Sequence, residues 1–168
     1  MATDDDRRDR QAAIYLASQA HEVGRASGRV LWREALQWIS GGRLGRRRGW
    51  LDAPQLESPW QDTVSPERDG WRQRAANLSG EFAFAVDYLV CQRCRIAWVE
   101  QPYTLPQYQR CGLATADLTA LRADHPALAW HTLGAHLGES QAFWSAAGSA
   151  VPSGYQPRPL CQHANAGR

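Results

Sequence analysis

The sequence predicts one α/β domain whose N-terminal part is helical. Its 168 residues, of which 43% are hydrophobic, suit a single core and are few for two complete domains. Apolar residues keep a helical spacing in two segments before residue 41, whereas strand and helix patterns alternate from residue 80 onward. We therefore expect a disordered tail over residues 1–9, a helical part with a long connection over residues 10–79, and a core over residues 80–168.

Charge and hydropathy narrow the class of protein. A net charge of only +2 argues against a dedicated, strongly basic nucleic-acid binder. No apolar run approaches the roughly 20 residues that span a bilayer, and the charged N-terminus lacks the apolar stretch of a signal peptide. The sequence therefore predicts a cytoplasmic protein without a membrane partner. Nothing in the composition indicates an oligomeric state.

Two helices are predicted in the N-terminal part, over residues 10–26 and 30–40, with Gly41 and Gly42 ending the second. An arginine-rich run over residues 43–49 follows. It is either a patch for phosphate or an acidic partner, or a solvated loop after a helix end. Residues 50–70 are rich in Pro, Asp, Ser and Gly, which predicts a long connection.

The predicted core begins with a hairpin. Residues 81–90 and 95–100 have strand composition, and the short Cys91–Cys94 connection between them makes the two strands antiparallel neighbours. The segment Gly112–Ala123 has the apolar spacing of an amphipathic helix. A strand over residues 127–133 and a short helix over residues 139–147 complete the predicted core.

A glycine-bearing turn at residues 109–114 opens the predicted helix of the core. Backbone N–H groups at a helix start point in one direction, and together with the helix dipole they form an anion site. Gly112 has no Cβ, so a phosphate can approach the main chain there, and Ala114 is nearly as small. The turn therefore suits a pyrophosphate.

These residues resemble a known family. The segment 103–114 resembles motif A of the GNAT N-acyltransferases, in which a Pro-x-Tyr step precedes Gln/Arg-x-x-Gly-x-Gly/Ala at a helix start. Residues 140–148 resemble the family's final helix, so the resemblance covers roughly residues 80–155. It implies a GNAT-like α/β fold, with a mixed, mostly antiparallel sheet flanked by helices.

The resemblance also implies a function, which is acyl-CoA-dependent transfer to the primary amine of an unidentified small molecule or protein. Acetyl-CoA is the expected cofactor, with another acyl-CoA as the alternative. Direct transfer needs positioning and proton removal but no covalent enzyme intermediate. The family's pattern assigns the pantetheine and thioester to the main chain of Tyr103, Thr104 and Leu105, and the pyrophosphate to Gln109, Arg110, Cys111, Gly112, Leu113 and Ala114.

The catalytic groups are harder to assign. The family often carries a Tyr in its last helix that protonates the leaving thiolate, but this sequence has Trp144 there, so Tyr155 or water is the candidate replacement. Glu100 and His131 are candidate bases, against the alternatives of an ordinary strand carboxylate and a hydrogen-bonded core histidine. Trp144 also favours a second hypothesis, a GNAT-like binding module that has lost catalysis and acts through a protein or nucleic-acid partner.

Four residues form a candidate metal site. Cys91 and Cys94 lie in a CxxC at the hairpin tip, where a tight turn can point two thiolates at one metal. Cys161 and His163 supply a second pair from the tail. We expect a structural zinc with Cys3His ligation, closed and remote from the thioester. The alternative is unrelated thiols and a frayed tail.

Overall fold

Strand-forming segments dominate the middle of the chain. The computed structural model describes residues 4–25, 58–100, 102–136 and 138–165. The strands are β1 (Val23–Arg25), β2 (Trp60–Val64), β3 (Arg72–Leu78), β4 (Glu81–Cys91), β5 (Ile96–Val99), β6 (Tyr103–Thr104) and β7 (Ala129–Thr132). The α-helices are α1 (Asp4–Ser18), α2 (Leu113–Asp124), α3 (Gln141–Gly148) and α4 (Gln162–Asn165), and single 3₁₀ turns at Pro106–Tyr108 and Gly138–Ser140 precede α2 and α3.

All seven strands belong to one sheet, in the order β1-β2-β3-β4-β5-β7, with β6 paired to β4 beyond the end of β5. The β2–β3, β3–β4, β4–β5 and β4–β6 pairs are antiparallel. The β1–β2 and β5–β7 pairs at the two sides of the sheet are parallel. The predicted α/β domain with a mixed, mostly antiparallel sheet flanked by helices is therefore confirmed.

The two faces of the sheet differ in character. On one face, Trp60, Ala76 and Phe84 belong to the main core together with Leu16 of α1 and Leu121 of α2. On the other face, β2 and β3 present polar side chains that are only partly buried, as is typical of an antiparallel sheet with one face toward water. A smaller second core covers the remainder of that face, formed by Trp71, Cys91, Ile96 and Trp98 with Leu133, Leu160, Cys161 and Ala164 packed against them.

The first helix differs from its predicted bounds. It begins at Asp4, so residues 4–9 are helical and not disordered, and Asp4 and Asp6 stand in the first turn, where carboxylates suit the helix dipole. It ends at Ser18, whose hydroxyl donates to the Tyr15 carbonyl at 2.6 Å. Residues 23–25, predicted helical, form β1. The predicted helix over 30–40 and the arginine-rich run over 43–49 lie outside the described residues.

One strand lies within the connection predicted over residues 50–70, and a second follows it, before residue 80, where no strand was predicted. Trp60–Val64 is β2, and Arg72–Leu78 is β3, although its sequence is mostly polar. The turn between β3 and β4 is tight, with Ser79 and Gly80 both at positive φ. The predicted division at residue 80 therefore falls between two paired strands, and the sheet continues across it.

The remaining core elements follow their predicted positions closely. β4 and β5 form the predicted hairpin, and α2 and β7 occupy the predicted helix and strand. The predicted helix over 139–147 begins as a 3₁₀ turn and becomes α-helical at Gln141. None of the described helices combines the length and apolar character that a membrane span requires.

Candidate metal centre and phosphate-binding turn

The four predicted metal ligands come together at one end of the sheet. Cys91 is the last residue of β4, and Cys94 lies in the turn that leads to β5. That turn is closed by the Arg95 amide donating to the Gln92 carbonyl at 3.2 Å, with Arg95 at a φ of 55°. Cys161 immediately precedes α4, and His163 lies within it. The β4–β5 hairpin therefore supplies two of the ligands, and the C-terminal segment, distant in sequence, supplies the other two.

The donor atoms of these residues fit one cation. Three sulfurs and one imidazole nitrogen lie within 4.8 Å of one another, and the Cys94 Sγ to His163 Nδ1 distance is 3.2 Å. Tetrahedral zinc with Zn–S bonds of about 2.3 Å separates its ligand atoms by about 3.8 Å, so only small movements would close the site. The cluster can therefore hold a metal ion, and soft thiolates with one imidazole are a donor set that suits zinc.

The cluster is protonated in part when no metal is bound. A hydrogen bond with the Cys161 sulfur, together with burial and the neighbouring Cys91 thiol, raises the pKa of Cys94 to about 11. A metal ion must displace this proton, because the thiolate and not the thiol is the ligand. Cys91 and His163 also line an open cleft beneath Asp69 and Gly70, so solvent reaches the edge of the cluster. The predicted closed site, with four protein ligands and no open coordination position, is compatible with this cleft, because all four predicted donors lie together.

The turn before α2 has the geometry of an anion site. Gly112 is the N-cap of α2, with φ 86° and ψ 0°, and among the described residues no side chain caps the helix there. The Ala116 amide donates to the Gly112 carbonyl at 2.9 Å, so the amides of residues 113–115 precede the first helical hydrogen bond. The first turn of α2 carries no acidic residue that would repel an anion.

The residues around Gly112 divide into exposed and buried sets. Gln109, Arg110 and Gly112 are exposed, and Arg110 shares the left-handed conformation, with φ 61°. Cys111 and Leu113 are buried and belong to the main core. They anchor the turn from below, and Ala114 packs against the same core. The backbone of the turn is thus held firmly while its outer face stays open to solvent.

Strand β6 leads into this turn and is tied to it. Tyr103 and Thr104 pair with Ala85 and Phe84 of β4, and the Leu105 amide donates to the Ala83 carbonyl at 3.1 Å. The Nε2 group of the Gln109 side chain donates to the Thr104 carbonyl at 3.3 Å. Two of the predicted main-chain contacts for pantetheine are therefore engaged within the protein. Tyr103 is more than half exposed and stacks in parallel on Phe82.

The sheet divides beside the turn. β5 pairs in parallel with β7 only as far as Val99 and Thr132. Beyond that point β6 follows β4, whereas Thr132 bridges to Pro157 of the C-terminal segment. Within the described residues, no strand pairs with the side of β6 that faces away from β4. Strands β6 and β7 therefore do not pair with each other in the described structure. They diverge at the end of the sheet where the chain runs from β5 toward Gly112.

Glu100, a predicted base, is engaged in an ion pair. Its carboxylate accepts a hydrogen bond from Arg68 Nη1 at 2.7 Å, and its amide donates to the Asp87 carbonyl at 2.9 Å. Arg68 also lies over the Trp71 ring, with 5.1 Å between its Cζ atom and the ring centroid. The Glu100 carboxylate thus holds the β2–β3 loop against the end of β5. An ordinary structural carboxylate, which is the alternative to a catalytic base, would make the same contact.

His131, the other predicted base, is buried in β7. Its Nδ1 lies 3.0 Å from the Gln156 carbonyl oxygen, and a carbonyl only accepts, so Nδ1 carries the proton. Nε2 is buried and has no hydrogen-bond partner within the described structure. In the neutral ring, Nε2 is therefore the unprotonated nitrogen.

The residues at the predicted acid position form an aromatic cluster. Trp144 is buried, stacks on His136 with ring centroids 5.0 Å apart, and lies 5.3 Å from the Tyr155 ring. The Tyr155 hydroxyl accepts a hydrogen bond from Arg122 Nη1 at 2.5 Å, and Tyr155 has no solvent exposure. Burial raises the pKa of Tyr155. Both side chains thus contribute to packing.

One buried feature was not predicted from the sequence. Arg74 of β3 is completely buried among the carboxylates of Asp62, Asp117 and Asp124. The only sequence signal is that Arg74 occupies an alternating position between Arg72 and Ala76 in a polar segment. Without an apolar pattern, that alternation does not indicate a buried face.

Comparisons of the chain with family models, with curated proteins and with solved structures returned no match. The likeness to the GNAT N-acyltransferases therefore remains a resemblance carried by the residues of the turn and the last helix.

Proposed function

We propose that this protein is an acyl-CoA-dependent N-acyltransferase that transfers an acyl group to a primary amine. Acetyl is the acyl group that we expect. The observation that carries the proposal is Gly112 in the left-handed conformation at the uncapped start of α2, with the adjacent outer backbone exposed. Free amides at a helix N-terminus and the helix dipole favour a pyrophosphate. The outer side of β6 supports the proposal, because among the described residues no strand pairs with it and it lies next to the anion site.

The chain's own residues would act mainly by positioning. Backbone amides of residues 113–115 would hold the pyrophosphate, and the outer edge of β6 would orient the acyl-bearing arm. Of the predicted catalytic side chains, only His131 keeps a nitrogen without a partner among the described residues, so it is the candidate base, although the amine would have to enter the protein to reach this buried atom. Glu100 and Tyr155 are engaged by Arg68 and Arg122, and we assign both a supporting role.

The cofactor is tested directly by titrating the purified protein with acetyl-CoA in a calorimeter, with desulfo-CoA and adenosine as comparisons. We expect saturable binding of acetyl-CoA and desulfo-CoA and none of adenosine, because the pyrophosphate carries the recognition. If neither acetyl-CoA nor desulfo-CoA binds, the proposal is wrong. Release of free CoA thiol in the presence of a panel of amines then reports turnover.

A catalytically inactive binding module remains the second candidate. It is favoured by the aromatic cluster, in which Trp144 and Tyr155 are buried and neither offers a proton to a leaving thiolate. Under this function acetyl-CoA binds but no free thiol is released with any amine. A thiol signal that depends on an amine would refute it.

The metal centre is a second part of the proposal. We infer that the cluster of Cys91, Cys94, Cys161 and His163 holds zinc, since three thiolates and one imidazole match the donor set of structural zinc sites. Its four protein ligands leave no position for a substrate, so the metal is structural. The test is the metal content of protein purified without added metal.

A further inference from the structure

The four candidate metal ligands come from two places, the β4–β5 hairpin and the C-terminal segment, so a bound metal would join that segment to the sheet. We propose that the metal acts as a latch: it holds residues 156–165 against β5 and β7, and its loss releases that segment and uncovers the second core. The latch rests on the proposed zinc centre and is independent of the acyl-CoA site.

The segment lies along the outer strand of the sheet. The Arg158 amide donates to the Thr132 carbonyl at 2.8 Å, next to the parallel bridge between Thr132 and Pro157. The Trp98 indole donates to the Arg158 carbonyl at 3.0 Å. Because β7 is the last strand in the sheet order, these bonds cover an edge that would otherwise be open.

Apart from the hydrogen bonds of Gln156 and Arg158 to β5 and β7, the segment has few contacts within the described structure to hold it in place. Residues 156–159 are exposed, and only Leu160, Cys161 and Ala164 pack against the second core, each of them partly buried. α4 has four residues, whereas isolated helices shorter than about 12 residues are marginal in water. Coordination by Cys161 and His163 would therefore supply most of the free energy that orders the segment, as in other small metal-stabilised structures.

Release would change the surface of the protein. Trp98 has no solvent exposure, and Trp71 and Ile96 have 1% and 7%, although they lie on the face of the sheet that helices α1 and α2 leave uncovered. Detaching the segment would expose this contiguous apolar cluster together with the β7 edge. Metal occupancy would therefore decide whether this cluster is covered or exposed to solvent.

Hydrogen exchange of the full-length protein tests the latch. Metal-loaded protein and protein treated with a chelator, which can approach through the cleft beside Cys91 and His163, are compared by mass spectrometry. We expect the Arg158 and Ala164 amides to exchange at least about tenfold faster after metal removal, while the amides of β3 and β4 stay protected. Binding of an apolar dye should rise in parallel.

Two variants separate the latch from general instability. Cys161→Ser removes a ligand from the segment and should reproduce the effect of the chelator, whereas Gln162→Ala, an exposed neighbour that is not a ligand, should exchange like the parent. Equal Arg158 exchange with and without bound metal overturns the latch alone. Loss of protection throughout the sheet also overturns it, because the metal would then hold the whole fold. Protein that contains no metal overturns the metal centre itself.

Discussion

Arg74 Nη2 donates a hydrogen bond to Asp124 Oδ2 at 2.6 Å, linking the middle of β3 to the end of α2. Arg25 of β1 approaches the same Asp124 oxygen at 2.8 Å, and Asp62 of β2 lies 3.3 Å from Arg74 Nη2. The Tyr88 hydroxyl of β4 donates to Asp62 at 2.7 Å. One buried cation therefore connects helix and sheet through a network of charges.

Replacing this cation should be costly. We expect Arg74→Met to lower the free energy of unfolding by about 3–5 kcal/mol, because it leaves buried carboxylates without their compensating charge. Arg10→Met, at an exposed position of α1, is the matched control and should change stability by less than about 0.5 kcal/mol. Urea unfolding of both variants measures the difference, and similar values for the two would contradict the assigned role of Arg74.

Asp117 should make stability depend on pH. Burial, together with the charges of Asp62 and Asp124, raises the pKa of Asp117 to about 8 despite the opposing charge of Arg74. The folded state thus holds a proton that the unfolded state has lost, so stability falls as pH rises from about 4 to about 8. We expect Asp117→Asn to flatten this dependence. Between pH 5 and pH 8, the free energy of unfolding of the variant should rise by more than about 1 kcal/mol relative to that of the parent. Parallel curves for the two proteins would contradict it.

Substitution of Gly112 should separate cofactor binding from folding. Within the described part of the chain, a Cβ at Gly112 would approach only the Ala17 Cβ, at 4.0 Å, so there is room for it and the cost comes from the φ of 86°. We expect Gly112→Asp to lose about 1–2 kcal/mol of stability and to abolish acetyl-CoA binding, since a carboxylate would occupy the pyrophosphate position.

Gly80→Asp is the matched control for this strain. Its φ of 82° is similar, and no atom of the described residues lies within 4 Å of its Cβ position. We expect a comparable loss of stability with unchanged acetyl-CoA affinity. If Gly112→Asp binds acetyl-CoA as well as the parent does, the anion site lies elsewhere.

Tyr155→Phe should affect stability and leave the pH profile of turnover unchanged. The variant removes the acceptor of the Arg122 hydrogen bond, which we expect to cost about 1–2 kcal/mol. Tyr15→Phe, at an exposed position, should cost nearly nothing. Because the Tyr155 hydroxyl is buried and its pKa is raised, we do not expect it to donate a proton to the thiolate. A shifted pH profile of turnover in Tyr155→Phe would restore it as the acid.

Elemental analysis of the parent protein and of cysteine variants tests whether the cluster binds zinc. We expect about one zinc per chain, and we expect Cys91→Ser to release it and lower Tm while acetyl-CoA affinity is retained. Cys111→Ser, which alters a thiol outside the cluster, should keep its zinc. Less than about half an equivalent in well-folded parent protein would count against a structural site. Zinc affinity should fall as pH is lowered, because the raised pKa of Cys94 favours the thiol.

Sequence patterns predicted the second half of the fold better than the first. The β4–β5 hairpin and α2 have apolar spacings that match their periods, so their positions followed directly. β3 was missed because Arg74 occupies a core position, and its burial depends on carboxylates contributed by β2 and α2. No local pattern records such a partner.

The candidate site shows the same division. The Cys-x-x-Cys and Cys-x-His spacings identified two local ligand pairs, whereas the approach of one pair to the other depends on the fold and is seen only in the structure. The environments of Glu100 and Tyr155 could not be predicted, since Arg68 and Arg122 reach them from distant parts of the chain. Residue type indicates what a group can do, and its neighbours decide whether it is free to do it.

The order of the metal ligands along the chain also sets an order in time. Cys91 and Cys94 are synthesised before β5, whereas Cys161 and His163 follow every strand of the sheet. All seven described strands are therefore synthesised before Cys161 and His163, so the four-ligand site can be completed only after every strand of the described sheet exists. Full coordination of the metal is then a late event in the maturation of the chain, and it fastens strands that are already present.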